Sequence, residues 1–147
     1  MLMKQVVISF TILLAFSTEA GYAQTAQRSG AKEGDTVWVL INYVKADKRE
    51  QFEKFVNEIF WPMAKKLSAQ DQELFNQTRV LYPVHPEEDG TYNYFFIMDP
   101  VISGGNYDIE GLLKKMYDPP KAEAYLKLFN ETTSREQTGY VLVQSRY

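Results

Sequence analysis

The chain has 147 residues, 45% apolar and 24% charged, with 16 basic and 19 acidic side chains and a net charge of −3. This is the profile of one globular domain. It excludes a disordered, collagen-like or multi-span membrane chain and lacks the Lys and Arg excess that nucleic acid demands. Cysteine is absent and His85 is the only histidine, which excludes disulfides and zinc–thiolate sites and argues against an all-protein transition-metal centre.

Lys4 precedes an apolar run from Val6 to Phe16, and small residues come after it, ending Gly21-Tyr22-Ala23. This is the charged, apolar, small-residue order of a secretory signal. The run is too short to span a bilayer, so residues 1–23 are read as a signal peptide cut after Ala23 rather than as an anchor. The expected location is secreted or periplasmic, with no stable membrane insertion. Residues 24–35 (QTAQRSGAKEGD) are polar and Gly-bearing and predict a flexible leader. Residues 36–147 form the single domain.

Thr36–Val44 (TVWVLINYV) is β-branched and aromatic and predicts a strand. Asp47 and Glu50 have capping-box spacing, which opens a helix over 48–67. Its apolar stripe is Phe52, Phe55, Val56, Ile59, Met63 and Leu67. Pro62 should kink or break it near Phe60. On an ideal helix Trp61 lies about 160° from that stripe, with Asn57 on the same flank. Residues 68–77 are polar and predict no more than a half-turn. Thr78–Val84 and Thr91–Met98 flank a turn of His85, Pro86, Glu87, Glu88, Asp89 and Gly90, and so predict a hairpin. Pro83 puts its first strand at an edge. Asp108 caps a helix over 109–117, a second helix runs over 121–131, and a last strand over 140–147.

The order β-α-β-β-α-β is the ferredoxin-like split βαβ pattern. It predicts an α+β fold with a four-stranded antiparallel sheet and helices on one face. Val37, Val39, Ile41 and Tyr43 are read as the helix-facing set of the first strand. Trp38, Leu40, Asn42 and Val44 then face away, with Arg79, Leu81, His85, Asn93, Phe95, Ile97, Leu142, Gln144 and Arg146. That open face is too apolar for water. Stacking it on a second copy buries it and leaves a partly enclosed cavity lined by its few polar groups.

The stretch TVWVLINYVKADKREQFEKF, a strand ending in Asn and then an amphipathic helix, resembles the opening of dimeric α+β-barrel proteins of the antibiotic-biosynthesis-monooxygenase type. The strand order is similar through Tyr147. The resemblance implies a homodimeric α+β barrel. It leaves the chemistry open, because members include cofactor-independent quinol or anthrone oxygenases, haem-degrading enzymes, dehydratases and isomerases. Asn42 matches the first-strand Asn of oxygen-using members, where a buried amide donates to a developing oxyanion. Read without the resemblance, it is a strand-end amide bonded to the next loop. The Trp and His of haem-degrading members have no counterpart here.

The candidate ligand-binding residues are Trp38, Asn42, Arg79, Asn93 and Gln144, with no catalytic residue assigned and no cofactor or metal expected. Trp38 either walls a flat ligand or fills a dimer core. Arg79 either holds an anion or guards an edge strand. His85 sits at a solvated turn tip. The expected function is an exported protein that binds a small apolar or aromatic molecule. The alternatives are a cofactor-independent monooxygenase or isomerase on a small aromatic substrate, and a non-catalytic structural or interaction protein.

Overall fold

The computed structural model describes residues 28–147. The segment read as a signal, 1–23, and residues 24–27 lie outside the described residues. Strands β1 (Thr36–Val44), β2 (Thr78–Leu81), β3 (Tyr92–Met98) and β4 (Thr138–Val143) form one antiparallel sheet in the order β2-β3-β1-β4. Helices α1 (Arg49–Lys54) and α2 (Ala69–Gln77) lie between β1 and β2, and α3 (Ile109–Met116) and α4 (Pro119–Thr132) between β3 and β4. This is the ferredoxin-like arrangement expected from the sequence. The β2–β3 hairpin is present, and β2 is an edge strand that ends before Pro83.

The helix start differs from expectation. Asp47 lies in a 3-10 turn, Ala46–Lys48, and no side chain caps α1. Conversely, residues 69–77 form a full helix. Ser68 Oγ accepts the Asp71 N–H at 3.1 Å, and α2 buries Leu74 and Phe75. Asp108 caps α3 through the Gly111 N–H at 2.7 Å, and α3 buries Leu112, Leu113 and Met116, as the sequence predicts. Within 28–35, Ala31 donates its N–H to Asp99 Oδ1 at 2.8 Å, and Gly34 and Asp35 bond the backbone of Gln144.

The face assignment of β1 is inverted relative to the sequence reading. Val44 and Asn42 are fully buried, and Trp38 and Leu40 pack against the core. Their cross-strand partners Met98, Phe96 and Tyr94 are buried too, so this set faces the helices. Val37, Val39, Ile41 and Tyr43 lie on the open face with Ile97, Phe95 and Asn93, with Arg79 and Leu81 from β2 and with Thr138, Tyr140 and Leu142 from β4. Both faces of β1 are apolar, so its period of two carries little contrast, and the lone amide marks the buried side rather than the wet one. The open face is nevertheless as apolar as the sequence reading expected.

Candidate functional site

The segment after α1 sets the site. Residues Phe55–Phe60 form a π-helical turn and Trp61–Lys66 a 3-10 turn. Pro62 has no N–H to continue an α-helical ladder. The Trp61 N–H instead reaches back five residues to the Val56 carbonyl. The wider turn changes the angular position of the residues beyond it, and π-turns of this kind recur at functional sites. Trp61 therefore points inward, contrary to its ideal-helix position. Its ring lies 5.1 Å from Phe75 and 6.1 Å from Phe96, edge-on to both. The expected Asn57–Trp61 flank does not form, and Asn57 Oδ1 instead accepts the Tyr82 hydroxyl at 2.8 Å.

Phe60, Trp61, Phe75, Phe96 and Tyr107 wall a small chamber between the sheet and helices α2 and α3. Phe96, Tyr107 and Ile109 also line a neighbouring cleft of about 300 Å³, which continues to Leu126, Phe129 and Asn130 of α4 and to Gln137. Tyr107 thus belongs to both spaces. Its phenol oxygen accepts the Ile102 N–H at 2.8 Å, and its ring is 5.5 Å from Trp38. Burial pushes this phenol above its ordinary pKa, only partly opposed by the Ile102 bond.

Asn42 lies behind the cleft. Its Oδ1 accepts the Gln137 Nε2 hydrogen at 2.5 Å. Its Nδ2 is buried and has no partner among the described residues. The two acidic residues of the cleft are occupied: Asp108 caps α3, and Glu110 pairs with Lys114 at 2.5 Å.

The candidate residues from the sequence do not converge. Trp38 and Asn42 share the helix-facing side, while Arg79 and Asn93 lie on the opposite face. Arg79 Nη2 is paired with Asp99 at 2.7 Å. Gln144 lies past the end of β4 and donates to the Ser145 carbonyl. A cleft lies between sheet and helices, on the side of Trp38 and Asn42 and away from Arg79 and Asn93. Tyr107 and Gln137 were missed. Both lie in irregular segments with no periodicity, and only tertiary placement gives them a role.

A polar network sits at the other end of the helix face. Tyr94 OH donates to Glu53 Oε1 at 2.5 Å. Arg49 pairs with the same oxygen at 2.9 Å and lies 4.6 Å over the Tyr92 ring. Burial alone would raise the Glu53 carboxyl, but the hydrogen bonds from Tyr94 and Arg49 outweigh it and hold the pKa below its ordinary value. Burial, and then the bond to Glu53, raise the Tyr94 phenol. The network ties α1 to β3 and borders neither the chamber nor the cleft.

No family model matches the chain, and no curated protein matches it. A solved structure from Caulobacter crescentus CB15, described as a candidate antibiotic biosynthesis monooxygenase, is similar at 17% identity. It covers 76% of this chain and 91% of its own, with a TM-score of 0.39. The fold assignment stands on the strand order of the chain itself.

Proposed function

We propose that the chain is an exported protein that binds a small, largely apolar molecule in the space between its sheet and helices, and that it works as a dimer through its open sheet face. The observation that carries the binding reading is the aromatic chamber and cleft with a wholly buried amide, Asn42, behind it. Concave apolar space with few polar groups is the usual form of a small-molecule site. Supporting the dimer, the opposite face presents Val37, Val39, Ile41, Phe95, Ile97, Tyr140 and Leu142 together, and such patches mark interaction surfaces.

Titration calorimetry with 2-naphthol tests the binding reading. Saturable binding is expected, and Leu126→Trp, which fills the cleft, should abolish it. Absence of binding, or binding indifferent to Leu126→Trp, overturns the site. The resemblance and Asn42 also support an oxygenase or isomerase alternative. Oxygen uptake or product formation from a quinol, lost in Asn42→Ala, would favour that reading over simple binding.

A further inference from the structure

We infer that Tyr107 is the specificity-determining residue of the cleft: its ring closes the cleft off from the aromatic chamber and so limits the length of ligand that enters. The inference rests on the binding site proposed above and adds a size limit to it.

Phe96, Tyr107 and Ile109 line both spaces, so the partition between them is built from these three side chains. Phe96 is a β3 residue, 5% exposed and part of the core, and Ile109 opens α3. Tyr107 comes from the irregular segment between β3 and α3. The chamber beyond it holds about 30 Å³, room for a water molecule but not for an aromatic ring. The cleft, at about 300 Å³, has room for a small ligand. Such a ligand is held in the cleft alone, with Tyr107 as its end wall.

The wall is fixed in place. The Tyr107 phenol oxygen accepts the Ile102 N–H at 2.8 Å, and the ring rests 5.5 Å from Trp38. Asn106 Oδ1 accepts the Asp108 N–H at 2.9 Å, and Asp108 in turn caps α3, which holds the backbone on both sides of the ring. A Cβ on Gly105 would stand 3.2 Å from the Tyr107 ring and 3.0 Å from the Ile102 carbonyl oxygen, so the bare backbone there leaves the ring its seat. Without the phenol, cleft and chamber would join into one trough ending at Trp61 and Phe75. That end is apolar: its hydroxyl, Thr78 Oγ1, already donates to the Leu74 carbonyl at 2.6 Å. A longer ligand would therefore have to be apolar at its far end.

Two probes with one head group and different lengths test the partition: 2-naphthol and 6-phenyl-2-naphthol. Their dissociation constants are to be measured by titration calorimetry on the full chain. The wild type should bind the two within about threefold, because the added ring stays in water. Tyr107→Ala should bind the phenyl compound about tenfold or more tightly than 2-naphthol, as burial of a further ring permits. Tyr107→Val makes the same comparison where the alanine variant fails to fold. Tyr107→Phe keeps the ring and should behave as the wild type, which separates the wall from the Ile102 bond. Leu126 lines the cleft and not the chamber, so Leu126→Ala should give no such preference. A preference of about tenfold for the phenyl compound in the wild type, the same gain in Leu126→Ala, or none in Tyr107→Ala overturns the inference. If Tyr107→Ala changes nothing while Leu126→Trp still abolishes 2-naphthol binding, the cleft survives and only the role of Tyr107 falls. If 2-naphthol does not bind the wild type, the binding site falls and the inference with it.

Discussion

Replacing Asn42 with Leu separates function from stability. Leu keeps the branched shape at Cγ but carries neither donor nor acceptor. The change removes one hydrogen bond, to Gln137, at a cost of about 1 kcal/mol. It also removes a buried N–H that has no partner, which relieves about 1–3 kcal/mol of desolvation. Larger methyl groups against Tyr94 and Leu40 return a packing penalty of about 1–3 kcal/mol. At their central values these contributions leave a loss of about 1 kcal/mol, a shift of roughly 3–5 °C. That is small for a fully buried polar position in a central strand, where a structural hydrogen-bonding residue would cost far more. Urea unfolding, with the slope checked for constancy, measures it. In the same protein 2-naphthol should still bind, because Asn42 does not line the cleft. Destabilisation beyond about 3 kcal/mol would show that the Asn42 amide is fully used in holding the fold and would refute the reasoning.

Ile41→Asp places a charge in the middle of the open face and away from the core. Sedimentation should show a dimer for the wild type and a single subunit for the variant, and an identical mass for both would remove the dimer. Phe52→Ala empties a position that is 0% exposed and packed between Tyr94, at 4.6 Å, and Phe129, at 6.0 Å. It should cost about 3–5 kcal/mol in urea unfolding, whereas Val141→Ala, at 71% exposure, should change stability by under about 0.5 kcal/mol. Glu53 has a folded pKa below its unfolded value, so the unfolded chain binds its proton first as pH falls. The stabilisation is therefore complete above the ordinary Glu pKa of about 4.3 and is lost as pH drops through the lower folded value. A urea midpoint measured from pH 6 down to pH 3 should fall less steeply in Glu53→Gln than in the wild type, and parallel curves would dissociate Glu53 from the acid response.

The features legible in the sequence were those with local causes. The β-branched run of β1, the turn around Pro86 and Gly90, and the Asp108 cap each specify structure through their immediate neighbours, and the element order then fixes the topology. Whatever depended on contrast or on tertiary contact was not legible. In β1 both alternating sets are apolar, so alternation did not separate the helix-facing set from the open one, and the strand was inverted. The polar stretch 68–77 concealed α2, although Ser68 with Asp71 three residues on is a capping signal that could have exposed it. Trp61 was misplaced because an ideal 100° increment was carried through a segment that leaves α-helical geometry at Phe55. With β1 inverted, Arg79 and Asn93 were grouped with Trp38 and Asn42 across a sheet that separates them.

Two departures from local rules fall on the helix-facing side of the sheet. A central strand buries an amide whose nitrogen has no partner among the described residues, and a helix gives up α geometry for a π-turn ahead of Pro62. Each departs from a simpler choice, Leu at 42 or an uninterrupted helix through 62. Each also shapes the hollow between sheet and helices: the π-turn brings Trp61 to its wall, and Asn42 holds Gln137 at its edge. The open face has unpartnered polar atoms of its own, Arg79 Nε and Asn93 Oδ1. They sit among apolar strand formers in regular register, so a partner seated on this face, as proposed above, would have to meet these polar atoms as well as bury the apolar ones.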